Sequence, residues 1–194
     1  MLRNQLSGYN LILGSGSPRR KELLSSLDVS FEVRVCPLDE IVPDGLPPEE
    51  HAQFLARQKS TFLSKDLGLN DLLITADTVV IQGDEVLGKP STSEEAGEML
   101  KKLSGKTHQV ITGVCIKSIS REICFSDETE VTFASMSDRE VSWYVSNVDV
   151  LDKAGAYGIQ DWIGKTVITG IQGSFYNVVG LPVHRLYAHL KDWE

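Results

Sequence analysis

Residues 11–24 read LILGSGSPRRKELL: a short apolar run, a Gly-Ser-Gly-Ser-Pro break, three consecutive basic residues and the apolar start of a new segment. The run from Tyr9 to Gly14 predicts a strand. Ser17 before Pro18 predicts a helix from Pro18 to Leu27, with serine at the N-cap and proline in the first turn. Strand, tight turn and helix open an α/β unit, and the pattern continues outward. Phe31 to Val35 reads as a second strand, followed by a loop punctuated by Pro37, Pro43 and Gly45. A helix then opens at Pro47-Pro48, with Glu49 and Glu50 in its first turn, where acids suit the positive end of the helix dipole. Residues 71–90, DLLITADTVVIQGDEVLGKP, place two apolar runs about a Gly83-Asp84 hairpin signal. Ser93 to Leu103 reads as a helix closed by Gly105. Lys106 to Ser135, rich in Val, Ile, Thr and Phe, predicts two or three antiparallel strands. A short helix from Asp138 to Asn147, a glycine-rich segment and a C-terminal helix from Pro182 to Asp192 complete the pattern. The class expected is α/β, with a mixed, partly antiparallel sheet flanked by helices.

Composition limits what such a chain can do. With 194 residues, 41% of them hydrophobic, it can bury a substantial core as one domain spanning residues 1–194, with room for two lobes. A formal net charge of -8 argues against a nucleic-acid surface, because phosphate chains are held by excess Lys and Arg. Any anion site must therefore be local. Leu11-Ile12-Leu13 is too short for a signal-peptide core and no stretch approaches the length that spans a bilayer, so the expectation is a soluble, cytoplasmic protein without membrane partners. Cys36, Cys115 and Cys124 form no C-x-x-C pair and leave one cysteine over under any disulfide scheme, which suits a reducing compartment; Cys115 and Cys124 are expected to pack as small apolar residues.

The opening stretch supplies such a local site. A helix N-terminus after a run of small residues presents free backbone N–H groups, which attract anions. Arg19 and Arg20 fall in the first turn, where positive side chains oppose the dipole, so another interaction must favour them there. A phosphate would do so; the plain alternative is a tight turn with solvated arginines. Asp77 lies between Leu72-Leu73-Ile74 and Val79-Val80-Ile81, and a carboxylate so flanked is costly unless it has a partner or a metal ion. Counting outward from the Gly83-Asp84 turn pairs Gln82 with Glu85 and Thr78 with Lys89, which brings Lys89 beside Asp77 and Thr78. The alternative is an edge-strand aspartate paired with a lysine for structural ends. Lys59 falls on the inward stripe formed by Ala52, Leu55, Ala56, Phe62 and Leu63. Such a lysine either snorkels to water or meets an internal anion, and snorkelling is the expectation from spacing alone. Glu40, in the proline-flanked loop, says little by itself.

Together these residues say more. SGSPRR, Glu40, Lys59, ADTVV, GKP, GKTHQVITGV, DKAGAYGIQ and GSFYNVVGLP occur in an order and spacing, from Leu11 to Pro182, that closely resemble the Maf family of nucleoside triphosphate pyrophosphatases. The resemblance implies two lobes around a central cleft, often a homodimer, and hydrolysis of a nucleoside triphosphate to the monophosphate and diphosphate with a divalent cation, Mg²⁺ or Mn²⁺. On the family's pattern Asp77 is the proton acceptor, Glu40 and Asp77 hold the metal, and Ser15, Ser17, Arg20, Lys59 and Lys89 hold the triphosphate. Sequence leaves open whether Asp77 or Glu40 is the base. Arg19, Thr78 and Gln160 match positions associated with substrate choice in the branch that acts on dTTP and UTP. A glutamine amide can accept from pyrimidine N3–H and donate to O4, but flipped over it can face cytosine, so discrimination needs a fixed neighbour. Arg19, a donor that cannot become an acceptor, is one candidate. Asp161 departs from the glycine common at that position in relatives. The implied role is removal of canonical or modified pyrimidine nucleotides. Two other classes fit the same residues: a nucleotidyltransferase, which would exchange labelled diphosphate into the triphosphate, and a nucleotide-binding regulator of cell division without turnover.

Overall fold

The computed structural model describes residues 2–38 and 41–193. In chain order its elements are α1 (Leu2–Gln5), β1 (Asn10–Leu13), α2 (Pro18–Ser25), β2 (Phe31–Val33), α3 (His51–Leu63), β3 (Asp71–Gln82), β4 (Glu85–Leu87), α4 (Ser93–Leu103), β5 (Thr107–Lys117), β6 (Glu122–Phe133), α5 (Asp138–Asn147), α6 (Trp162–Thr166), β7 (Ile168–Gln172), α7 (Phe175–Val179) and α8 (Val183–Lys191). The strands form one sheet in the order β2-β1-β3-β5-β6-β7, with β4 hydrogen-bonded to β3. The pairs β1/β2 and β1/β3 are parallel, while β3/β4 and β6/β7 are antiparallel, so the expected mixed sheet is present. The chain divides into two compact units. The first comprises residues 1–77, 112–127 and 180–194, and the second comprises residues 78–111 and 128–179.

In the first unit, β1 sits between two parallel neighbours, with Leu13 opposite Val33 on one side and Ile74 on the other. Ile12, Leu13, Leu72, Leu73 and Ile74 are fully buried, as expected of a parallel strand pair covered on both faces. Helix α3 lies close on the sheet. Thr75 Oγ1 donates to Ala56 O at 2.7 Å, and a Cβ on Gly113 would collide with the Ala52 backbone. The β5–β6 hairpin closes through Ser118 N–H donating to Arg121 O at 2.9 Å. Here the expectation for the cysteines is corrected. Cys115 and Cys124 are joined as a disulfide, with Cα atoms 4.2 Å apart. They lie equally far from the two-residue tip of an antiparallel hairpin, which puts the two side chains directly opposite each other.

The second unit packs α4 and α5 around Leu100, Leu103, Val131, Phe133 and Tyr144. Both helices start on strong caps. Thr92 accepts from Glu95 N–H, and Ser137 with Glu140 forms a reciprocal capping box. Inside lies a buried polar pair, His108 Nε2 and Tyr157 Oη, at 2.7 Å, with the ring of Phe133 edge-on to both. Burial pushes the His108 imidazole down to about 4. Residues 154–156 form a single 3-10 turn in which Gly155 has φ 66°, and a Cβ there would also lie 3.0 Å from Val80 Cγ2.

Most predicted elements occur with shorter ends: the first helix stops at Ser25, not Leu27, and the second strand at Val33, not Val35. The β3–β4 hairpin has the expected Gln82–Glu85 pair, but its ladder ends at Val80–Leu87, short of the expected Thr78–Lys89 rung. The elements α1, α6, β7 and α7 were not anticipated. No described helix is long and apolar enough to cross a membrane.

Candidate active site

The strand-turn-helix at the start of the chain builds its turn on hydrogen bonds rather than on glycine freedom alone. Ser17 caps α2, its side chain accepting from Arg20 N–H at 3.4 Å. Ser15 is buried, and its hydroxyl accepts from Ser17 N–H and from an Arg20 Nη, each at 3.3 Å. Arg20 Nε donates to Gly180 O at 2.8 Å. Part of what favours an arginine in this first turn is therefore a carbonyl from the far end of the chain, supplied before any anion is present. Gly14 is required for packing: a Cβ there would lie 2.6 Å from Thr75 Cγ2 and 2.8 Å from Leu63 Cδ1. Gly16 has ordinary room, with its nearest neighbour at 3.5 Å.

One strand over, Asp77 is 5% exposed and accepts a short hydrogen bond from Lys59 Nζ. The partner demanded by a carboxylate in this setting is thus Lys59, which corrects the expectation that Lys59 simply snorkels. The helical stripe that points Lys59 inward carries its stem along the apolar face of α3 and delivers the ammonium to the sheet. Leu13 and Ile74 are directly opposite on parallel strands, so Ser15 and Asp77 both lie beyond that pair in the chain direction of β1 and β3. Ligand-bearing groups gather at the carboxyl ends of parallel strands for this reason in open α/β sheets. Arg19, half-buried on α2, belongs to the same unit. Glu40 lies outside the described residues.

Thr78, Lys89 and Gln160 belong to the second unit. Thr78 is half-buried, and Lys89 and Gln160 are exposed. The GKP and DKAGAYGIQ motifs, 67 residues apart at the two glycines that meet, are joined where Gly155 N–H donates to Gly88 O at 3.0 Å. The segment GSFYNVVGLP is anchored by Asn177, fully buried, whose Nδ2 donates to Val110 O and Thr129 Oγ1, both at 2.9 Å.

Beside Gln160, sequence reasoning singled out Asp161 only as a departure and did not single out Lys153 or Tyr144, whose side chains meet it. Lys153 stands inside the quoted DKAGAYGIQ motif and is 8% exposed. Its ammonium donates to Asp149 O and to Asp152 Oδ1, the latter at 2.7 Å. Tyr144 Oη donates to Asp161 Oδ2 at 3.2 Å. The sequence signals were a lysine two residues before Gly155 and the Asp161 that follows Gln160.

A Maf-like protein family model matches residues 10–193. The chain belongs to the Maf family. Among Maf relatives, a protein of Porphyromonas gingivalis named dTTP/UTP pyrophosphatase is 53% identical over 196 residues, covering 100% of this chain and 98% of its own. One of Phocaeicola vulgatus with the same name is 50% identical over 192 residues, covering 98% and 99%. A solved nucleoside-triphosphatase (dITP/XTP pyrophosphatase) of Mycobacterium abscessus aligns with a TM-score of 0.38 at 14% identity, over 66% of this chain and 74% of that one, a likeness too weak to assign anything.

Proposed function

We propose that this Maf protein hydrolyses dTTP and UTP to the nucleoside monophosphate and diphosphate, with the whole chain acting as one pyrophosphatase domain. The observation that carries this reading is full-length identity of about half to proteins of that name, in a chain whose Asp77 is set against Lys59 at the end of the parallel strands. In the reaction a water oxygen bonds to the α-phosphorus, the bond from that phosphorus to the bridging oxygen breaks, and diphosphate leaves with the electron pair. Asp77 accepts the water proton, oriented by Lys59. Backbone N–H groups at the start of α2, with Ser15, Ser17, Arg20, Lys59 and Lys89, offset the charge of the triphosphate.

Asp77 offers carboxylate oxygens, and Mg²⁺ or Mn²⁺ takes oxygen ligands; Mg²⁺ is commonly held by one or two carboxylates together with substrate phosphates. A site built from Asp77 and Glu40 fits that pattern, and the cation would supply charge neutralisation on the phosphate oxygens. Arg19, Thr78 and Gln160 read the base. Gln160 can accept from N3–H and donate to O4 of uracil or thymine.

The test is product identification after incubating the purified protein with single nucleoside triphosphates and Mg²⁺ or Mn²⁺. Diphosphate with dTMP or UMP is expected; dTDP or UDP with orthophosphate would sink the reading. A Gln160→Glu variant is expected to lose its preference for dTTP and UTP over CTP, and an unchanged preference would remove Gln160 from base reading.

A further inference from the structure

Gln160 is the third residue of a four-residue turn, Gly158 to Asp161, closed by Asp161 N–H donating to Gly158 O at 3.1 Å. A glutamine on an exposed turn is a poor discriminator unless the turn itself is rigid, because loop motion and amide rotation both blur the hydrogen-bond pattern it offers. Here the turn is clamped. The Tyr144 phenol oxygen accepts from Gly158 N–H at 3.2 Å and donates to Asp161 Oδ2 at 3.2 Å, so one buried hydroxyl holds the first and last residues of the turn. Burial, the largest cause, pushes the Tyr144 hydroxyl well above the ordinary phenol range, so it stays a donor at working pH. Lys153 Nζ lies 4.0 Å from the same Asp161 oxygen, and its own position is set by Asp149 O and Asp152.

Packing fixes the turn further. The Asp161 carboxylate lies directly over Gly158: a Cβ there would collide with Oδ2, lie 2.9 Å from Cγ and come within 3.2 Å of Lys153 Cε. On the α6 side, a Cβ on Gly164 would strike Ile159 O, so the backbone of the turn is pressed against the helix that follows it. The Tyr144 ring is itself held, with Trp162 at 6.2 Å between centroids and tilted by 33°. All these groups belong to the second unit.

We propose that Tyr144, Asp161 and Lys153 are positioning residues for pyrimidine selection: they lock the Gly158–Asp161 turn so that Gln160 presents its amide in one place, which favours uracil and thymine over cytosine. Asp161 thereby acts as the acceptor that ties the turn to the helix α5 phenol. The inference rests on Gln160 as the base reader.

The experiment measures kcat and KM for dTTP and UTP in Tyr144→Phe, Asp161→Asn and Gly158→Ala, with CTP followed as a substrate or as a competitive inhibitor of dTTP hydrolysis. Tyr144→Phe keeps the ring and removes both hydrogen bonds; KM for dTTP and UTP is expected to rise about tenfold with kcat within about twofold, and preference over CTP to fall by about fivefold or more. Asp161→Asn keeps the acceptor but loses the ion pair, so a smaller shift in the same direction is expected. Gly158→Ala is expected to match Tyr144→Phe, and to cost little more once Asp161 is changed to Gly, since the colliding carboxylate is then gone. An equal loss of kcat on all three nucleotides would overturn the proposal, as would an unchanged preference in both Tyr144→Phe and Asp161→Asn with circular dichroism as for the parent. If Gln160→Glu shifts preference and these variants do not, the clamp alone fails; if Gln160→Glu shifts nothing, the base-reading role fails and takes the clamp with it.

Discussion

The two units hold their functional side chains by opposite means. In the first, Asp77, Lys59, Ser15 and Arg20 are buried or half-buried, tied to one another or to backbone carbonyls by charge-assisted hydrogen bonds. In the second, Gln160 is exposed, and the holding is done on the turn that carries it, by packing, a buried phenol and the Asp161 carboxylate with Lys153 near it. On the proposed function, chemistry on a polyanion needs charged groups that do not move, and buried paired groups supply them. On the same proposal, choice between similar bases needs a surface-facing amide whose backbone does not move, and a clamped turn would supply that.

The sharpest way to break this contrast is Asp77→Asn. Turnover is expected to drop about 10²–10⁴-fold, the range of lost general-base catalysis, and equally for every nucleotide, measured as kcat with circular dichroism confirming the fold. A drop under tenfold, or one that changes substrate ranking, would show that the first unit does not act on the phosphates alone. Next in size is His108, inside the second unit. Its imidazole titrates near 6.5 when unfolded and near 4 when buried, so between those values the unfolded chain binds a proton that the folded chain does not. Its contribution is fully present above pH 6.5 and is lost as pH falls toward 4, on the order of 3 kcal/mol in all. Urea melts of the parent and of His108→Gln from pH 7 to 4.5 measure this as a difference in slope; equal slopes would mean the ring is not held neutral. Smallest is Gly14→Ala, expected to cost roughly 1–3 kcal/mol by overpacking against Thr75 and Leu63, while Gly16→Ala stays within about 0.5 kcal/mol. Thermal melts compare the two, and equal effects would contradict the close approach at Gly14.

What sequence reveals tracks the range of the interaction. Helix caps, the Gly83-Asp84 turn and the Gln82–Glu85 pair are local, and each is legible from a few residues. Helical spacing sends Lys59 inward but carries no word about Asp77 on another element, so snorkelling was the natural expectation. The Cys115–Cys124 bond depends on the register of β5 against β6, which spacing cannot give until the hairpin tip is known. The strand β7 is short, half-exposed or exposed throughout, carries Gly170 in its middle and ends before Gly173, so its apolar alternation is faint. The clamp on Gln160 joins α5 to a turn 14 residues on, through a tyrosine that by sequence is one more aromatic on a helix face.

Arg20 finds its acceptor on a residue 160 positions downstream. The second arginine of SGSPRR can make that bond only after residue 180 has been synthesised. Any product cut short before Gly180 carries the whole motif and its local serine bonds but lacks one of the acceptors of Arg20, so the motif's presence in a fragment does not measure its full set of contacts.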